Sequence, residues 1–275
     1  MTKKVLAKAF MYFTMIFVII VSIFPILWVI MSSFKTNAAI LSSPFSLPEA
    51  ISFEVYFYLF ENYEFARYAL NSVLVSIPPT ITALICFSLA GYVMGKYQFP
   101  GRNILFTLFI ITMLVPAQAK AQPVFALVSN LGLFDNIVGV ALVYLSNGLA
   151  ISLFILRTTF ASIPKELDEA ARIDGAGFFR TFALINFPLA KTGLSTAGIL
   201  MFLGNWNEYY YAALLITSNA NRTLPTSLQF FNMTFSFDYS TMFAALAVVV
   251  LPGIIIYAIA QEQVQASVAS SGIKG

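Results

Sequence analysis

VGVALVYLSNGLAISLFIL, Val138–Leu156, carries no charged residue and does not alternate between apolar and polar positions. A strand of a membrane barrel would show about 10 residues alternating apolar-out and polar-in. An apolar run of about 20 residues is instead long enough to cross a bilayer as a helix. Phe243–Ala260 reads the same way. The surrounding chain of 275 residues is 59% hydrophobic and only 10% charged, with a mean hydropathy of +0.84. A soluble domain of that length needs far more charge to cover its surface. The sequence therefore predicts an all-α polytopic membrane protein.

Working outward from Val138–Leu156, six spans are expected. They are about Phe10–Phe34, Tyr68–Met94, Ile104–Val128, Ile137–Phe160, Thr192–Ile216 and Thr241–Ala260. Pro25, the pair Pro78-Pro79, Pro116 and Pro123 fall inside them and are expected to mark kinks, which membrane helices tolerate. The first run is too long for the apolar core of a cleaved leader and reads as a retained signal-anchor helix. Lys and Arg set the orientation. Eleven of them (Lys3, Lys4, Lys8, Lys96, Arg102, Arg157, Lys165, Arg172, Arg180, Lys191, Lys274) share one side, and four (Lys35, Arg67, Lys120, Arg222) the other. The richer side is expected to be cytoplasmic, with both termini on it.

Other chemistry is narrowed by composition. The chain has no histidine and one cysteine, Cys86. It therefore lacks imidazole as base or metal ligand and has no internal disulfide; Cys86 reads as a small packing residue. A net charge of +3 gives no nucleic-acid signal. Gly91-Tyr92-Val93-Met94-Gly95-Lys96-Tyr97 approaches a phosphate-binding loop, but its glycine spacing is one short and Tyr97 stands where the magnesium-binding hydroxyl belongs. Gly91 and Gly95 read instead as small residues at a helix–helix contact.

Between the fourth and fifth spans, on the cytoplasmic side, the chain turns polar. Ser162 or Ile163 is expected to cap a short helix with Pro164 in its first turn. Glu166, Asp168 and Glu169 fall early, where the helix dipole favours negative charge. Ile163, Leu167, Ala170 and Ala171 form an apolar stripe. Lys165 with Glu169, and Asp168 with Arg172, are spaced as i,i+4 pairs. Gly175 ends the helix as a left-handed cap. A second amphipathic stretch, with Phe178, Phe182 and Ile185 on one face, runs to Pro188. The small residues of EAARIDGAG, Glu169–Gly177, suit close approach by another protein; a surface helix that only tethers two spans fits them equally.

The fifth span carries Asn205-Trp206-Asn207-Glu208-Tyr209-Tyr210-Tyr211. Amides and a carboxylate within the membrane are costly and usually face a cavity or a partner. Asn205, Asn207, Glu208 and Tyr209 suit the path of a neutral, hydroxyl-rich solute. Glu208 fits a bundle-holding role as well, and tyrosines also gather at membrane interfaces. The external segments Lys35–Arg67 and Thr217–Ser240 are either solvated loops or surfaces for a solute-binding protein.

Glu169-Ala170-Ala171, three residues, Gly175, nine residues, then Ile185-Asn186-Phe187-Pro188 resembles the EAA loop of ABC importer permeases, E-A-A-x3-G-x9-I-x-L-P. Phe187 stands where leucine is usual. Ser33-Phe34-Lys35, Arg67–Ser72, Trp206-Asn207-Glu208 and Arg222-Thr223-Leu224-Pro225 are similar to the carbohydrate, maltose-type subgroup. So is the tail Gly272-Ile273-Lys274-Gly275, where the subgroup usually reads G-A-V-K-G. The resemblance implies a type I ABC importer permease fold of six transmembrane helices. It implies one transmembrane domain over residues 1–275, with a core of about 68–262 and a coupling loop of about 161–190. In that family the loop docks on a cytoplasmic ATPase. The resemblance thus assigns Glu169, Ala170, Ala171, Asp174, Gly175, Ala176 and Gly177 to coupling, with Glu169 a charged anchor and Gly175 the turn. It implies a second homologous permease, two ATPase subunits that bind the ATP, an extracytoplasmic solute-binding protein, a sugar or oligosaccharide as solute, and membrane lipid around it all. No cofactor, metal or catalytic residue is expected on this chain. A non-sugar solute such as glycerol phosphate is the alternative within the family. A self-sufficient secondary transporter would need an internal repeat or coupling-ion site, and neither is visible.

Overall fold

In the computed structural model, residues 2–233 and 238–272 are described, with side chains for 5–231 and 238–261. Ile273, Lys274 and Gly275 of the tail lie outside the described residues. Regular structure among the described residues is helical throughout. Val5–Ser32, Phe65–Lys96 and Tyr239–Gln261 are each long and apolar enough to cross a bilayer alone. Three bent pairs raise the number to as many as six. These are Arg102–Leu114 with Ala117–Asn130, bent by 102°, Ile137–Ser146 with Leu149–Ser162, bent by 44°, and Phe178–Leu189 with Lys191–Trp206, bent by 80°.

The prolines divide into two kinds. Pro25, Pro78, Pro79 and Pro123 sit inside continuous helices. Pro116 breaks its span: Val115 before it is extended at φ −87°, ψ 110°, the conformation that the proline ring forces on its predecessor. The fifth span is broken where no proline stands. Its first helix, Lys191–Trp206, stops, and a second, Tyr210–Leu215, follows after Asn207, Glu208 and Tyr209.

The chain forms two compact units. Met1–Ala66 with Ser227–Leu251 makes the first. In it, Trp28 meets Phe243 edge-on at 5.1 Å, and its indole N–H donates to Pro44 O at 2.8 Å. Lys35 is buried; its ammonium donates to Ser43 O and Pro44 O at 3.0 and 3.1 Å. Most of the first helix has its apolar side chains exposed.

Arg67–Thr226 with Pro252–Gly275 makes the second unit. Its larger core gathers Ala83, Tyr92, Leu156, Phe160, Phe182, Ala197 and Met201. Gly91 and Gly95 lie against the Leu149–Ser162 helix. A Cβ at Gly91 would stand 2.7 Å from Leu156 Cβ, and one at Gly95 2.8 Å from Arg157 O. The small residues thus serve close helix contact, as the spacing predicts. Lipid is as apolar as leucine, so within a bilayer such fit and interhelical hydrogen bonds hold helices together more than apolar burial does. Cys86 is exposed rather than packed inside.

Candidate functional site

The polar loop is built as a short helix, Glu166–Ile173. It begins later than Ser162 or Ile163 because Pro164 holds Ile163 extended, at φ −74°, ψ 129°. Three acidic residues occupy its first turn, where they complement the dipole. Its end is a Schellman motif: Gly175 N–H donates to Arg172 O at 3.0 Å, and Ala176 N–H to Ala171 O at 2.8 Å. Gly175 has φ +78°, and nothing lies within 4 Å of where its Cβ would stand. Its requirement is one of backbone conformation, not of space.

One face of this helix is tied down. Asp168 is buried, and its carboxylate meets Lys96 Nζ at 2.7 Å and Asn186 Nδ2 at 2.5 Å. Lys96 also donates to Ile163 O at 2.9 Å and Pro164 O at 3.2 Å. One charged knot therefore joins the end of the Phe65–Lys96 helix, the end of the Leu149–Ser162 helix and the loop. The expected i,i+4 pairing of Asp168 with Arg172 is not made. Asp168 forms its ion pair with Lys96 instead, and Arg172 lies 5.9 Å from the Tyr97 ring centroid.

Asn186 reaches Asp168 through a departure from α-helical register. The second stretch is not one amphipathic helix. It runs Phe178–Thr181 as α-helix, Phe182–Asn186 as π-helix and Phe187–Leu189 as α-helix. The wider turn places the Asn186 side chain fully inside. Phe178 and Phe182 seat the stretch on an aromatic cluster, with Tyr92–Phe182 at 5.2 Å, Tyr97–Phe178 at 5.8 Å and Tyr92–Phe160 at 5.6 Å.

The predicted loop residues separate by exposure. Glu169, Ala170, Asp174, Gly175 and Gly177 are exposed, Ala176 is half-buried, and Ala171 is buried beside Asp168. The apolar stripe is split in the same way: Ile163 and Ala171 face in, Leu167 and Ala170 out. Ile173 is 86% exposed and Phe179 72%. These two join the free face, and nothing in their spacing singles them out. The sequence marks Asp168 as an early acid but not as the partner of Lys96 and Asn186, and for Asn186 the one signal is the unassigned position between Ile185 and Phe187.

In the fifth span the polar residues also separate. Asn205 is buried, its Oδ1 accepting from Asn147 Nδ2 at 3.0 Å and its Nδ2 donating to Thr80 Oγ1 at 3.0 Å. Glu208 is half-buried in the break and acts on the helix that follows. Its carboxylate accepts from the backbone N–H of Tyr211 at 2.9 Å and of Ala212 at 3.2 Å, and from the Tyr144 hydroxyl at 2.7 Å. Those N–H groups open a helix and have no carbonyl partner of their own. Asn207 is exposed and donates to Leu203 O of its own helix at 2.9 Å. Tyr209 is exposed as well. The structure thus brings Asn205 and Glu208 into helix-joining bonds and leaves the side chains of Asn207 and Tyr209 exposed.

Apolar helices long enough to span a membrane, with a small polar helix anchored by one face and exposed on the other ahead of the fifth span, suit a membrane permease component. Residues 87–270 match the family described as binding-protein-dependent transport system inner membrane component, and the chain belongs to that family. It is therefore a permease of an ABC importer, a component of the inner membrane. It is 34% identical to the diacetylchitobiose uptake system permease protein NgcG of Streptomyces coelicolor, over 90% of this chain and 83% of that one. It is 30% identical to the arabinooligosaccharides transport system permease protein AraQ of Bacillus subtilis, over 92% and 91%. Among solved structures, a chain of a bacterial ABC transporter involved in the import of the acidic polysaccharide alginate superposes with a TM-score of 0.83 at 25% identity, covering 95% of this chain and 97% of that one.

Proposed function

We propose that the chain is one of two homologous permease subunits of an ATP-driven importer for a sugar or oligosaccharide. Two ATPase subunits bind and hydrolyse the ATP, and an extracytoplasmic binding protein delivers the solute. This chain needs no cofactor of its own and forms a single transmembrane domain over 1–275, with its core about 68–262. Both termini and the loop of about 161–190 face the cytoplasm, as the eleven-to-four division of basic residues implies. The sugar assignment is supported by the relatives named for diacetylchitobiose and arabinooligosaccharides. The observation that carries the ATPase assignment is the loop helix, which is held by Asp168 on one side and bare at Glu169, Ala170, Ile173, Asp174 and Gly175 on the other.

In this reading, closure of the ATPases presses on the bare face, and the Asp168 knot passes the displacement to the spans. Asn207 and Tyr209 border the solute path; Asn205 and Glu208 hold the helices that form it. Co-purification tests the proposal. The tagged chain, expressed with a candidate ATPase and a candidate second permease, should carry both through purification. In proteoliposomes its ATP hydrolysis should rise with sugar-loaded binding protein. Solute uptake by the chain alone, without an ATPase, would overturn it.

A further inference from the structure

A cavity of about 460 Å³ lies within the second unit, where two helix breaks face one another. Thr112, Met113 and Val115 line it from the break at Pro116, and Ser146, Asn147 and Gly148 from the break between Ile137–Ser146 and Leu149–Ser162. Lys120, Tyr144 and Tyr211 complete its polar lining. Its size is that of a small-molecule site. Its position is unusual for a lysine: Lys120 stands in the apolar segment Ile104–Val128 and is half-buried. Among the described residues it makes no ion pair or hydrogen bond.

An ammonium has three donors and no acceptor. Half-buried on the cavity wall with no counter-ion among the described residues, it favours an anionic group as its partner. The other polar groups are placed to orient rather than to neutralise. Asn147 spends its Nδ2 on Asn205, and its Oδ1 has no partner among the described residues. The Tyr211 hydroxyl donates to Ala117 O at 3.2 Å, so its oxygen remains free to accept. The carboxylate behind Tyr144, Glu208, is already taken up by Tyr144, Tyr211 and Ala212 and does not line the cavity.

We infer that this cavity is a solute subsite for an anionic group, with Lys120 as its counter-ion and Asn147 and Tyr211 as hydrogen-bonding partners for neighbouring hydroxyls. The chemical class it fits is an acidic sugar, one bearing a carboxylate on or near the ring. The inference rests on the importer reading and narrows its solute. A charge-assisted bond is about twice as strong as a neutral one. Lys120 therefore favours a uronate over the matching neutral sugar.

Lysine footprinting tests it on the complete complex in nanodiscs. Lys120 is acylated with a water-soluble amine reagent, and its rate is read by mass spectrometry with and without an oligogalacturonate, a neutral oligosaccharide of equal length, or anionic phospholipid in the disc. The expected result is acylation slowed at least about fivefold by the oligogalacturonate and less than twofold by the neutral sugar. In uptake, Lys120→Arg should retain the uronate preference and Lys120→Gln should lose it. Four results would overturn the subsite: no acylation of Lys120, equal protection by both sugars, protection by anionic lipid alone, or a uronate preference unchanged in Lys120→Gln. Failure of the chain to co-purify with an ATPase would instead remove the importer reading, so the two failures are told apart.

Discussion

Replacing Lys96 by methionine tests the knot beneath the loop. Lys96→Met keeps the length and apolar stem of the side chain and removes its charge. The Lys96 side chain is 4% exposed and that of Asp168 12%, so the carboxylate left behind has little water to replace its partner. Breaking a buried pair from one side costs about 3–5 kcal/mol. Asp168 keeps its bond from Asn186, which places the expected loss at the lower end, about 3 kcal/mol, or about 100-fold in a folding equilibrium. Asp168→Asn should cost less, about 1.5–2 kcal/mol, because Lys96 retains the carbonyls of Ile163 and Pro164. The double variant leaves neither charge stranded and should be more stable than the sum of the singles predicts, by about 2 kcal/mol. Equilibrium unfolding in mixed micelles, followed by tryptophan fluorescence, measures all four proteins. Singles within about 0.5 kcal/mol of the parent, or strict additivity in the double, would refute the claim that this pair anchors the loop.

Gly175→Asn should be tolerated and Gly175→Val should not. Asparagine visits the left-handed region and a β-branched residue does not, while no neighbour obstructs either side chain. Binding-protein-stimulated ATP hydrolysis that is equal in the two variants would remove the backbone argument. In a Cys86→Ser background, needed because Cys86 is itself exposed, cysteines at Asn207 and Tyr209 should react with a water-soluble thiol reagent. One at Asn205 should react at least about tenfold more slowly, in line with its burial; the reverse order would contradict the placement of these side chains. Asp135 is partly buried, which raises its pKa, but the backbone N–H groups of Ser218 and Thr217 outweigh this and leave it below the ordinary value. Its contribution is therefore fully present above the unfolded pKa of about 3.9 and is lost as pH falls through the lower folded value. Limited proteolysis of segment 217–222 should report that acid transition in the parent. Asp135→Asn, which tolerates the positive φ of this position, should abolish it.

The spans and the loop were legible in the sequence because both are local properties. Apolar length marks a crossing, and Glu169 to Gly175 carry helix, dipole and cap within a few residues. What was not legible is non-local or depends on register. Asp168 has an obvious partner four residues on, yet its charge is met by Lys96, 72 positions away, because the loop folds back on the helix end. Asn186 looked like a filler in an amphipathic stretch until the π-turn rotated it inward. The break at Asn207–Tyr209 carries no proline to announce it, and the residue that stabilises it, Glu208, has the composition of a path-lining group. Pro116 and Pro123 look alike in the sequence, and only the extended Val115 distinguishes the break from the continuous helix.

The knot at Asp168 has a mechanical consequence. A hydrogen bond of 2.7 Å is a stiff joint: it is essentially gone once its atoms have separated by another ångström. Any push on the bare face of the Glu166–Ile173 helix that exceeds this slack must either tear the joint or drag the ends of the Phe65–Lys96 and Leu149–Ser162 helices with it. The loop therefore has almost no backlash. It behaves as a crank pinned directly to two shafts, so small strokes at its surface are delivered rather than absorbed.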